Sequence, residues 1–262
     1  MSYKHPIPDA PIAPSMLPRV AAADLTSQDV LILLGQFNVL NKSSASQQIN
    51  ITCAVGKPFY IETPTGNSVL VDTQDSSFLY SAEPGLSKIK DFYRIRSISF
   101  NFNSSFFETN ITTGSLKFCE DLRAITAQDA GTNGIAISGD IKELASLTKL
   151  SILEIRGAKK SYLFGNVADL APVTTLTTIN LYQTLGVVGK IEDLLAGMSK
   201  NGRISGNLTV TLASSAATFN GNNNAPIYAE FGSTAVNVYR NSTKESLVGT
   251  YNVASESWTY PA

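Results

Sequence analysis

Apolar residues recur through residues 137–212 with a period longer than any single helix or strand. Ile137-Ser138-Gly139-Asp140-Ile141 runs into Leu144, Leu147, Leu150, Leu153 and Ile155. At an offset of 26, Leu163-Phe164-Gly165-Asn166-Val167 runs into Leu170, Val173, Leu176, Ile179 and Leu181. A third copy opens on Val188-Gly189-Lys190-Ile191 and reaches Leu194. It then carries a few extra residues before Asn207-Leu208-Thr209-Val210-Thr211-Leu212. A period between 20 and 29 with leucines three apart predicts stacked coils, each a short helical turn, a loop and a short strand. No coil buries its apolar face alone, so neighbours must supply the core. In the third copy Ile191, Leu194, Leu195 and Met198 fall at i, i+3, i+4 and i+7, predicting a helix that ends near Asn201-Gly202. Upstream, Leu116, Phe118 and Leu122 are read as an irregular first coil that caps the stack. The competing reading is an ordinary α/β domain with a chance echo.

On both flanks the period shortens to two. Ile49, Ile51 and Cys53 alternate with polar residues, and Phe59/Ile61 and Val69/Val71 flank Pro64-Thr65-Gly66-Asn67, predicting a hairpin. Ile95, Ile98, Phe100 and Phe102 predict another strand, with a turn at Pro84-Gly85. C-terminally, Ile227/Ala229/Phe231, Val236/Val238, Leu247/Tyr251 and Trp258/Tyr260 predict four short strands, with a turn at Asn241-Ser242-Thr243. Trp258, the sole tryptophan, is read as a core or inter-element plug. Thr26-Ser27-Gln28-Asp29 is a capping-box pattern leading into Val30, Leu31, Leu33, Leu34 and Phe37. A short buried helix is expected there, with a strand over Val30–Leu34 as its competitor. Pro6, Pro8, Pro11, Pro14 and Pro18 forbid helix and predict an extended arm. It is too poor in apolar surface to fold alone and is expected to dock on another subunit.

The repeated phrase resembles the leucine-rich repeat. It departs from that family where the ladder Asn would stand, at Ala158 and Thr184, so the ties between coils are expected to be missing. The chain is accordingly expected to be α+β and β-rich, a short leucine-rich-repeat-like solenoid flanked by small antiparallel β modules. The divisions are an extended arm at 1–20, a β-rich N-terminal domain with one short helix at 21–113, the repeat module at 114–212 and a C-terminal β module at 213–262.

Composition narrows the function. Of 262 residues 43% are apolar, enough for a real core, while only 16% are charged and the net charge is −1. Phosphate-driven nucleic-acid binding is therefore not expected. Nor is membrane insertion, because no apolar run reaches 18 residues. Met1–Pro6 lacks the apolar core of a signal peptide, so assembly in a cytoplasm is expected. Cys53 and Cys119 are read as reduced and buried. Six N-x-[ST] triplets, at Asn41, Asn50, Asn103, Asn110, Asn207 and Asn241, are read as a by-product of composition.

The single histidine, His5, lies in the arm, which leaves Ser-His or Cys-His chemistry without a base and zinc without a ligand cluster. Glu120/Asp121 and Glu192/Asp193 are adjacent pairs whose side chains diverge, so a carboxylate-only hydrolase is not expected. Neither a catalytic residue nor a cofactor is assigned. Outward positions on the coil strands are Ile152, Glu154 and Arg156, then Thr178, Asn180 and Tyr182, then Asn207, Thr209 and Thr211. Among them Glu154, Arg156, Asn180, Tyr182 and Thr209 form a candidate face for protein or carbohydrate, with a solvated polar face as the plain alternative.

The phrase I/V-x-G-D/N/K-I-x-x-L-x-x-L-T-x-L, without the Asn ladder, is similar to modules in virion proteins of tailed bacteriophages, notably the crAss-like group. That resemblance implies a non-enzymatic capsid-decorating, head-fibre or tail-associated subunit. Its partners would be other virion proteins, further copies of itself, and a host-surface glycan or protein. The alternative is a free-standing bacterial repeat protein that binds glycan or protein.

Overall fold

A computed structural model of the chain describes residues 36–73, 79–100, 107–128, 137–156, 163–181, 186–212, 216–220 and 226–261. The five arm prolines and most of the expected N-terminal helix lie outside these residues. The helix pattern had included Phe37, but Gln36–Asn41 is the strand β1, with Phe37, Val39 and Asn41 turned inward. Alternation decides there, because a period of two aligns those three side chains on one face. Asn41 is no glycan acceptor in this setting. Its amide donates to Ala82 O at 2.9 Å and Ala45 O at 3.0 Å, inside the fold.

The chain continues through β2 (Gln47–Cys53), β3 (Phe59–Glu62), β4 (Ser68–Val71), β5 (Leu79–Ala82), β6 (Gly85–Lys90) and β7 (Ile95–Phe100). The hairpin expected at Pro64–Asn67 joins β3 and β4, in register from Phe59↔Val71 to Glu62↔Ser68. Pro84-Gly85 works differently. It passes the chain between sheets, because β5 pairs with β2 whereas β6 pairs with β1 and β3. β8 (Phe107–Thr109) pairs with β1 and completes a five-stranded sheet, β4-β3-β6-β1-β8.

The repeat segment then alternates short helical turns with strands on two sides. It comprises α1 (Thr113–Leu116), β9 (Ala124–Gln128), β10 (Gly139–Asp140), a 3₁₀ turn (Ile141–Ser146), β11 (Ile152–Arg156) and β12 (Leu163–Asn166). A second 3₁₀ turn (Val167–Leu170), β13 (Thr178–Asn180), β14 (Gly186–Lys190), α2 (Ile191–Lys200), β15 (Asn207–Thr211) and β16 (Ala216–Thr218) follow. β10, β12, β14 and β16 form a four-stranded parallel sheet. β9, β11, β13 and β15 are parallel neighbours in a second sheet, and β11 meets β13 at the sequence offset of 26, Ile152↔Thr178 to Glu154↔Asn180. Leu144, Leu147, Leu150, Leu153, Leu170, Val173, Leu176, Ile179, Leu194 and Leu208 are all essentially inaccessible between these layers. Full burial of each stabilises by about 1.5–3 kcal/mol before entropy is counted. Leu116 and Leu122 join this interior, whereas Phe118 stands half-exposed outside it.

The repeat glycines have a double reason to be glycine. Gly139, Gly165 and Gly189 sit at φ of 121°, 118° and 104°, where a side chain is strained. A Cβ on any of them would also come within 2.5 Å of a side-chain oxygen in the preceding coil, that of Thr113, Asp140 and Asn166 respectively. Two of those oxygens belong to helix caps. Asp140 accepts from Lys142 N and Asn166 from Ala168 N, both at 3.0 Å, satisfying amides at the start of each turn. Each cap therefore needs a side-chain-free neighbour in the next coil. At the next equivalent position, two residues past the Gly189↔Ala217 pair, stands Phe219, and Lys190 makes no side-chain cap. The device stops there.

The ties expected to be missing are made by other groups. Ser151 Oγ donates to Arg123 O at 2.9 Å, and Thr177 Oγ1 donates to Ser151 O at 3.0 Å. Buried Arg203 donates to Leu176 O and, at 2.7 Å, to Asn207 O, with its guanidinium 4.3 Å from the Phe231 ring centre. Desolvation holds its pKa down at about 10.

Apart from the five-stranded sheet, the flanking antiparallel strands do not form separate sheets. β17 (Ile227–Phe231), β18 (Ala235–Tyr239), β19 (Leu247–Asn252) and β20 (Ser257–Thr259), all at expected positions, continue from β15, while β7, β2 and β5 continue from β9. The result is one mixed sheet of eleven strands, β20-β19-β18-β17-β15-β13-β11-β9-β7-β2-β5, parallel from β7 to β15 and antiparallel on both sides. The fold is thus β-rich with three sheets. Trp258 packs at its C-terminal end against Phe219, Tyr251 and Tyr260, at centroid distances of 5.7, 5.4 and 6.2 Å. Cys53 and Cys119 are free and buried, and burial pushes the Cys119 thiol well up.

Candidate functional site

The outer face of the eleven-stranded sheet is built by the same alternation that builds the core. Ile125, Leu153, Ile179 and Val210 point inward from neighbouring strands, so the residues beside them point outward. One row reads Ser99, Thr126, Glu154, Asn180 and Thr211, and a second reads Ser97, Ala124, Ile152, Thr178, Thr209 and Tyr228. Strand spacing places neighbours in a row about 5 Å apart. All of these side chains are half-buried. Glu154 is the only charged residue in either row, so the face presents mainly hydroxyls and amides.

Glu154 and Asn180 are direct cross-strand partners, and Thr209 lies opposite Thr178 in the adjoining row. Glu154, Asn180 and Thr209, three of the five candidate residues, therefore share one surface. Arg156 ends β11 opposite Gln128, and its side chain, like the whole of Tyr182, lies outside the described residues. The third coil sits two residues further along than simple repetition implies. Thr209, and not Asn207, meets Thr178, because the extra residues before Asn207 shift the strand by one full pleat.

The face also extends past the repeats. Tyr228 and Tyr239 are cross-strand partners on β17 and β18, with Glu230 and Asn237 paired beside them. Lys244 reaches over this group, 6.0 Å from the Tyr228 ring centre and 2.8 Å from Glu230 Oε1. The hydrogen bond to Glu230 holds its ammonium pKa above the usual lysine range. The sequence reading missed Tyr228 and Tyr239, although the inward phase of Ile227, Ala229 and Phe231 fixes Tyr228 as outward. Aromatic edges beside amides and hydroxyls suit polar, non-covalent contact with a protein or sugar surface.

Among the described residues no group of three or more His, Cys, Asp or Glu is placed to hold a metal ion. No helix among them is long and apolar enough to cross a membrane. No protein-family model matches the chain, and neither a curated protein nor a solved structure matches it.

Proposed function

We propose that this chain is a non-enzymatic structural subunit of a phage virion, whether capsid decoration, head fibre or tail-associated protein. Residues 137–212 serve in it as a short leucine-rich-repeat-like stack. The repeat phrase and the 26-residue parallel register between β11 and β13 support the stack reading. The observation that carries the assembly reading is the outer sheet face. From β7 to β17 neighbouring strands present two rows of side chains in which Glu154 is the one charged residue, a surface suited to lying against another protein. The N-terminal prolines supply the anchor to the lattice, and the sheet face meets neighbouring subunits or a host surface.

The test compares the full chain with a chain lacking residues 1–20, by light scattering and electron microscopy. The full chain should form a defined oligomer or join a particle, and the truncated chain should fold yet remain unassembled. A truncated chain that assembles normally removes the anchoring role. A full chain that stays monomeric up to the solubility limit and joins no particle overturns the structural reading.

A further inference from the structure

Parallel stacking brings the amino ends of successive strands together, and at one place it gathers positive charge. Arg96 is the second residue of β7, Arg123 directly precedes β9, and Lys149 lies in the turn before β11. Arg123 N donates to Arg96 O at 2.7 Å, and Ser151 N donates to Arg123 O at 2.8 Å, so these ends are locked in adjacent layers. Lys57, from the turn after β2, closes the other side. With Asp121 these four cations line an open cavity of about 360 Å³, two small apolar residues completing its wall. Four positive side chains gather at this one place in a chain whose net charge is −1.

Asp121 behaves as a built-in occupant. Its two oxygens take Lys57 Nζ at 2.6 Å and Lys149 Nζ at 2.5 Å. These two ammonium groups hold its carboxyl at about 2, well below the usual range. That accounts for both lysines. Arg123 is exposed and makes no ion pair among the described residues, leaving its forked donors facing the cavity. The next coil has no counterpart. At the position of Lys149 it carries Thr175, whose hydroxyl turns back to Thr148 O and Leu150 O at 2.9 and 2.7 Å.

We propose that this cavity is an oxyanion-binding site, taking a carboxylate or phosphate group against Arg123 and the two lysines that otherwise pair with Asp121. The lining contains no aromatic platform, so a neutral sugar finds no stacking partner here, whereas a planar or tetrahedral oxyanion matches the donors. The site is independent of the sheet face and of the assembly reading.

The test is titration of the full chain with inorganic phosphate and, separately, with glucuronate, followed by amide chemical shifts and calorimetry. Saturable one-site binding of either probe is expected, weakening as salt is raised. Phosphate alone, glucuronate alone, or both would assign the preferred oxyanion. Arg123→Gln should weaken binding about tenfold or more, and Arg123→Lys should weaken it less. Asp121→Asn should strengthen it several-fold, because it removes the competing carboxylate. Arg123 is a surface residue, so its variants test binding without threatening the fold. Absence of saturable binding for both probes overturns the proposal. So does an affinity unchanged in Arg123→Gln, or one reduced in a folded Asp121→Asn.

Discussion

Two stretches of the same sheet reach their registers by different means. β17 to β20 are antiparallel neighbours joined by short turns, such as Asn241–Lys244, where Lys244 N donates to Asn241 O at 3.2 Å. Each turn fixes the next pairing locally. β9, β11, β13 and β15 are parallel, and each connection crosses the molecule before returning. No turn can set their register, so it is set by contacts between coils: glycines that let a cap side chain approach, and hydroxyls that reach the carbonyl of the coil before. Parallel order therefore depends on particular residues at particular places, whereas antiparallel order tolerates more.

The strongest way to break this contrast is at a coil glycine. Gly165→Ala should cost about 3 kcal/mol, because backbone strain adds to the collision with the Asp140 cap. Gly66→Ala, in the β3–β4 turn at φ 84° with open space around it, should cost only about 1 kcal/mol. Urea denaturation measures both, and equal costs would remove the distinction. The seam between the two regions comes next. Arg203 bonds Leu176 O in a coil and packs on Phe231 of the antiparallel part. Arg203→Met should cost about 2 kcal/mol, by leaving two carbonyls without their donor. Hydrogen exchange should then show faster opening at β15 and β17 than at β11. The smallest effect concerns acid. Because Asp121 titrates lower folded than unfolded, its stabilisation is complete above about pH 4 and lost as pH falls toward 2. Thermal melts of Asp121→Asn should therefore fall less steeply across that window than those of the parent chain.

What the sequence revealed follows the same division. The buried leucines were legible because a core position repeats wherever the coil repeats. The C-terminal strands were legible because alternation and turn residues are both local. Partners distant in the chain were not. Nothing local says that β7 lies parallel to β9, or that Pro84-Gly85 leads into another sheet. The caps Asp140 and Asn166 carried a readable signal, an acidic or amide residue just before a helical turn. Their packing on the following glycine shows only in three dimensions. On the candidate face, Glu154, Asn180 and Thr209 were found by period alone, while Tyr228 and Tyr239 were missed because they lie beyond the repeats. The cavity cations escaped because Lys57 and Lys149 stand far apart in the chain and meet only through stacking.

Phe219 carries a consequence for how this architecture can grow. It fills the site that glycine occupies in earlier copies, and its ring anchors Trp258 and Tyr260. Lengthening the array at that end would require both a small residue at 219 and a new home for three aromatic rings. Gly165 and Gly189 face only the Asp140, Ile141 and Asn166 side chains and no aromatic cluster, so that obstacle is particular to the C-terminal end.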